Sequence, residues 1–181
     1  MRENWTLKEI LYKMENSLPV VFSENLNQKI QELKSHYPQG REKSALLPVL
    51  HAVQAEFGWL SSSAMDTVAQ LLDIKPIEVY EVATFYTMFH VKPVGKYVLE
   101  VCRTSPCCLN GAEELISHLQ NKLNIQVGET TPDGLFTLKT VECLAACGMA
   151  PVLQIGPEYT YYEHLNAEKA DSLIAELSQN K

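Results

Sequence analysis

The chain has 181 residues, 46% of them hydrophobic and 20% charged, with a formal net charge of -7, which suits one globular domain or two small ones and excludes bulk disorder. Acidic residues outnumber basic ones in both parts, 11 to 8 before Lys92 and 11 to 7 from Lys92 onward, with no cluster of Lys and Arg; nucleic acid, whose phosphates demand such a cluster, is excluded as a partner. The longest apolar runs, around residues 18–22 and 44–49, fall far short of the roughly 20 residues of a membrane-spanning helix, which excludes direct membrane insertion.

The opening stretch MRENWTLKEILYKMENS alternates charged and apolar residues and lacks the apolar core of a signal peptide and the Arg-rich character of a transit peptide, predicting a cytosolic chain. Residues 1–22 are taken as an N-terminal extension. Residues 23–91 are expected to form an array of four helices. SENLNQKIQELKSHY offers Ser23 as N-cap and Leu26, Ile30, Leu33 and Tyr37 at helical spacing, stopped by Pro38 and Gly40. A second helix is predicted over about 43–57, closed by Gly58, with Pro48 tolerated only near its first turn. A third covers about 62–72, and a fourth starts at Pro76 and runs through Val79, Tyr80, Ala83 and Phe85. Phe85, Tyr86, Met88 and Phe89 at its end read as core or as a docking interface.

From residue 92 the pattern changes. KPVGK reads as a linker and YVLEV, 97–101, as a strand. A helix follows over about 111–123 with Leu115, Ile116, Leu119 and Leu123 on one face, then strands FTLKTVE and VLQIG, an optional short strand at 159–162, and a last helix capped by Asn166 with Ala170, Leu173, Ile174 and Leu177 inward. The expected fold is α+β: four helices, then a small α/β domain over 92–181 with an open sheet.

All five cysteines fall in two windows, VCRTSPCCLNG and VECLAACGMAP. Cys102, Cys107, Cys143 and Cys147 make the pattern C-x4-C, 35 residues, C-x3-C. In a reducing compartment such a set points to a metal or redox site rather than a disulfide framework. Structural zinc sites favour C-x2-C, so the spacing argues mildly against zinc. The four-residue gap reads as an arch wide enough for a two-iron cluster, and two pairs of thiolates suit one pair per iron. Thr104, Ser105, Ala145, Ala146 and Gly148 are small enough to let backbone N–H groups reach sulfur, although any tight turn prefers such residues. Buried structural thiols or a redox disulfide are the competing reading. Cys108, next to Cys107, is expected to be a buried small apolar residue, with an alternate ligand or a reactive thiol as the competing readings.

Cys102-Arg-Thr-Ser-Pro-Cys107 with Leu109 and Gly111, GETTPDGLFTLKTVECLAACGMAP from Gly128 to Pro151, and the upstream stretches at 44–60 and 79–97 resemble the thioredoxin-like [2Fe-2S] subunit of respiratory complex I, the NADH-quinone oxidoreductase. The resemblance spans about residues 24–178. It implies a thioredoxin-like ferredoxin domain, one [2Fe-2S] cluster on Cys102, Cys107, Cys143 and Cys147, and an N-terminal helical domain that embraces a flavoprotein partner. That partner carries FMN and NADH, and the cluster takes single electrons from the reduced flavin. The implied location is the cytoplasm, peripheral to the inner face of the plasma membrane through the complex. The sequence departs from the family at Ala145-Ala146, where glycine is frequent between the last two cysteines, and at Asn110, where arginine is frequent. Pro151 corresponds to the proline before the strand that faces the active loop of thioredoxin folds. The same module resembles the small diaphorase subunit of NAD-linked hydrogenases and formate dehydrogenases, and a stand-alone ferredoxin is a third possibility.

Other chemistry finds little support. His36, His51, His90, His118 and His164 are scattered, and none of the eight glycines forms G-x-G-x-x-G. A thioredoxin-type C-x-x-C pair is absent.

Overall fold

A computed structural model describes residues 20–179, so residues 1–19 of the expected extension lie outside the described residues. The chain divides into two compact units between Pro93 and Val94.

Among the described residues the first unit holds four α-helices: α1 (Glu24–Ser35), α2 (Leu46–Phe57), α3 (Ser62–Leu71) and α4 (Pro76–Phe85). Their starts lie where local chemistry satisfies or removes free N–H groups. Ser23 accepts the Leu26 N–H at 3.1 Å, and Ser61 accepts the Ala64 N–H at 3.1 Å. At α4 the Glu78 carboxylate reaches back to the Lys75 N–H at 2.9 Å, and Pro76 takes a first-turn position that needs no donor. Pro48 is accommodated because a short 3-10 turn, Glu42–Ala45, precedes α2 and leaves the proline in the first turn. Gly58 then ends α2 at φ 78°, a left-handed conformation suited to glycine.

The core of this unit gathers Leu26, Ile30, Val49, Leu50, Val53, Leu60, Val68, Leu72 and Val79. Truncating any of the larger ones to Ala costs about 2–5 kcal/mol. The polar side chain of Gln54 is buried and is satisfied at both ends: it donates to the Met88 carbonyl at 2.8 Å and accepts the His90 N–H at 2.7 Å. The segment after α4 is thereby fastened to α2. Phe89 is core, whereas Phe85 is 77% exposed and Ile77 60% exposed.

The second unit is built on a four-stranded sheet with strands β1 (Tyr97–Cys102), β2 (Phe136–Val141), β3 (Leu153–Gly156) and β4 (Thr160–Tyr162). Their order is β2-β1-β3-β4, with β1 and β2 parallel and the other neighbours antiparallel. The connection from β1 to β2 contains α5 (Ser105–Leu109) and α6 (Ala112–Leu123), and α7 (Ala167–Gln179) follows β4. Leu99 and Val101 of β1 join Phe136, Leu138, Leu153 and Ile155 with Leu115 and Leu119 of α6 and Leu173, Ile174 and Leu177 of α7 in one apolar core. Gly95 sits where a Cβ would meet the Leu135 and Phe136 backbone at 2.9 Å, so only glycine fits without displacing β2.

Two expectations need correction. The C-x4-C stretch is not an open arch: Ser105–Leu109 is a helical turn, started by Pro106 and closed by Asn110, whose side chain donates to the Pro106 carbonyl at 2.7 Å. Cys108 is half-buried rather than buried, because on that turn it points away from Cys107 and its Sγ donates to the Arg103 carbonyl at 3.1 Å.

Candidate metal centre

The parallel pairing of β1 and β2 builds the site. Parallel strands end on the same edge of a sheet, and the register sets Cys102 beside Val141, two residues before Cys143. The Arg103 N–H continues the ladder to the Val141 carbonyl at 3.0 Å. Because β3 runs antiparallel to β1, its entry lies at the same edge, where the Cys102 N–H donates to the Val152 carbonyl at 3.1 Å. The peptide bond between Ala150 and Pro151, just before it, is cis. Two segments distant in sequence, 102–107 and 143–152, therefore converge.

The two cysteine arms differ. Cys102 and Cys107 are buried, each 2% exposed, and pack with Ala112, Val152, Leu144, Ala146 and Ala150. Cys143 and Cys147 are exposed. Their sulfurs lie 3.9 Å apart, close to the separation of about 3.8 Å that two thiolates adopt on one tetrahedral metal at about 2.3 Å from each. Hydrogen bonds converge on the sulfurs. The Ala145 N–H donates to Cys143 Sγ at 3.3 Å, and the Thr104 hydroxyl lies 3.2 Å from Cys102 Sγ. The loop between the last two cysteines is held from outside by the Tyr161 hydroxyl, which donates to the Leu144 carbonyl at 3.0 Å.

The four thiols act on one another. Burial pushes the Cys102 thiol up, but the Thr104 hydroxyl and N–H and the Leu144 N–H outweigh it, and its pKa falls below the usual thiol value. Burial and the neighbouring Cys102 raise Cys107. In the second arm the Ala145 N–H lowers Cys143, and Cys143 in turn raises Cys147. Each arm thus holds one sulfur predisposed to be a thiolate and one that resists a second negative charge beside it. A polycation between the arms removes that conflict, and thiolate is the form that binds metal.

Two pairs of thiols that act on one another suit a two-iron cluster with one pair on each iron. Three of the histidines are engaged elsewhere: the His51 ring lies 4.9 Å from that of Phe89, His118 contacts Asp171 at 2.9 Å, and His90 is buried in the first unit. The participation of Thr104 through its hydroxyl escaped the sequence reasoning, which valued it only as a small residue. Its position two residues after Cys102, just ahead of the Ser-Pro helix start, is the signal that could have found both it and α5.

A profile of the thioredoxin-like [2Fe-2S] ferredoxin family matches residues 30–178. The chain is 45% identical over 149 residues to a subunit of the NADH-quinone oxidoreductase of Rhizobium meliloti (strain 1021), covering 82% of this chain and 86% of that one. It is likewise 45% identical over 157 residues to a subunit of the NADH-quinone oxidoreductase of Rickettsia felis, covering 86% and 92%. Among solved structures it is similar to the NAD+-reducing [NiFe]-hydrogenase in the air-oxidized state, with a TM-score of 0.65 and 24% identity over 75% of this chain and 23% of that one. This last is a likeness of fold.

Proposed function

This chain belongs to the thioredoxin-like [2Fe-2S] ferredoxin family, and on that premise we propose that it is the electron-transfer subunit of an NADH-quinone oxidoreductase. Cys102, Cys107, Cys143 and Cys147 are its cluster ligands. One observation carries the proposal: two arms 35 residues apart in sequence bring four interacting thiols to one sheet edge, in a chain 45% identical to an NADH-quinone oxidoreductase subunit across 92% of that relative's length. Bound there, a [2Fe-2S] cluster stores and releases one electron at a time.

The protein supplies the asymmetry. Cys102 and Cys107 hold the inner side within packed apolar groups that exclude water. Cys143 and Cys147 hold the outer side, beside the exposed apolar residues Met149 and Tyr161, at 43% and 44% exposure. A flavoprotein partner docking on that side brings its flavin within electron-transfer range of the cluster. FMN and NADH belong to the partner, since this chain has no Gly-rich nucleotide loop. The helical unit, with Phe85 and Ile77 exposed, is a second docking element for the same assembly. No helix among the described residues is long and apolar enough to cross a membrane, and the complex provides the attachment to the inner face of the membrane. The hydrogenase reading is weaker, because that likeness is at 24% identity.

Iron and acid-labile sulfide on the anaerobically purified chain test the ligand set: two of each per chain, with a visible spectrum that bleaches on dithionite, is expected. Zinc in their place overturns it. Co-purification from the native source with a flavin-containing NADH-oxidising partner is the expected assembly, and recovery with a hydrogenase instead overturns the assignment to an NADH-quinone oxidoreductase.

A further inference from the structure

We propose that Thr104 is a positioning residue whose hydroxyl donates to Cys102 Sγ and raises the reduction potential of the cluster that the two cysteine arms hold. The inference rests on the ligand set proposed above. Thr104 Oγ1 lies 3.2 Å from Cys102 Sγ. A ligating sulfur is a thiolate and carries no proton, so the hydroxyl must be the donor in that contact.

The other donors to sulfur are main-chain N–H groups. Ala145 donates to Cys143 at 3.3 Å, and the Leu144, Thr104 and Val152 backbones favour the thiolate forms of Cys102 and Cys107. Those are fixed by the fold and survive any side-chain change. Thr104 is the hydroxyl among the contacts to these sulfurs, and being half-buried its bond is only partly replaceable by water. Reduction adds one negative charge to the cluster. A donor aimed at the ligand sulfur stabilises the reduced form more than the oxidised one, and its removal makes the cluster harder to reduce. Hydrogen bonds to charged groups are the strong ones.

Thr104→Val keeps the shape and the methyl group and deletes the donor, and Thr104→Ser keeps the donor and deletes the methyl. Both are made in the full chain, and the midpoint potential is read by dithionite titration of the visible spectrum, with the paramagnetic resonance signal of the reduced cluster recorded alongside. The expected result is a T104V cluster about tenfold harder to reduce, equivalent to about 59 mV for one electron, with an altered resonance signal, while T104S stays at the wild-type value. Loss of the cluster in T104V with normal loading of T104S also supports the hydroxyl, rather than the methyl group, as the part that acts on the ligand. An unchanged T104V potential overturns the inference, as does a T104S shift as large as that of T104V or failure of both variants to load, since packing of the methyl group then explains the residue. A wild-type chain without a [2Fe-2S] cluster defeats the ligand assignment instead, so the two failures are distinct.

Discussion

The two cysteine-bearing arms are built on opposite principles. The first rests on a central strand: Cys102 ends β1, whose neighbours on both sides are hydrogen-bonded, and Cys107 lies on a helical turn whose ends are chemically closed. The second is an exposed loop in which Ala145 takes φ 60°, a left-handed conformation costly for a residue with a Cβ. That conformation turns the Ala145 N–H onto Cys143. The first arm is held by the fold itself, and on the proposed ligand set the second is expected to gain order on ligation.

Replacement of a ligand has the largest effect. Both Cys102→Ser and Cys143→Ser are expected to bring iron from two per chain to near zero, measured by metal analysis. Hydrogen exchange on the metal-free chain separates the arms: amides at 97–102 should stay protected while those at 143–149 exchange quickly. Equal protection in both arms breaks the comparison.

Next come the supports of each arm. Leu99→Ala, fully buried beneath the first, should destabilise the second unit by about 2–5 kcal/mol in urea unfolding. Tyr161→Phe removes only the bond to the Leu144 carbonyl and should cost about 1 kcal/mol, with faster exchange confined to 143–147. A Tyr161→Phe loss as large as that of Leu99→Ala shows that the second arm is part of the core.

Ala145→Gly probes the strain itself. Relief of the left-handed conformation favours the variant and the greater freedom of glycine in the unfolded chain opposes it, so a net gain of up to about 1 kcal/mol in the metal-free protein is expected from its urea midpoint. A loss instead shows that the methyl group packs usefully there.

The smallest effect lies away from both arms. His118 and Lys122 on α6 hold the Asp171 carboxyl of α7 below its ordinary pKa. A depressed carboxylate contributes stability at neutral pH that is lost as pH falls through and below its usual value, roughly 4. Asp171→Asn should therefore flatten the acid limb of melting temperature against pH while leaving the cluster spectrum unchanged.

Much of this was legible from local chemistry. Ser23, Pro76 and Gly58 mark helix ends that the structure places within a residue or two, because caps act over three or four residues. The apolar faces of α6 and α7 follow from their periodicity. The turn at Ser105–Leu109 was missed because a five-residue segment is too short to show a period, and the half-exposure of Cys108 because adjacency to Cys107 says which way it does not point but not what it meets.

The sequence by itself determined which residue types could ligate, that they came in two sets, and the elements between them, since these depend on composition and on contacts a few residues apart. Only the tertiary structure decided that the sets meet, that one pair is buried and the other exposed, and that the Thr104 hydroxyl meets Cys102 Sγ. Those facts come from the parallel register of β1 with β2 and the antiparallel return of β3. Strand register is fixed by the whole buried face of the sheet, not by any stretch of chain read alone.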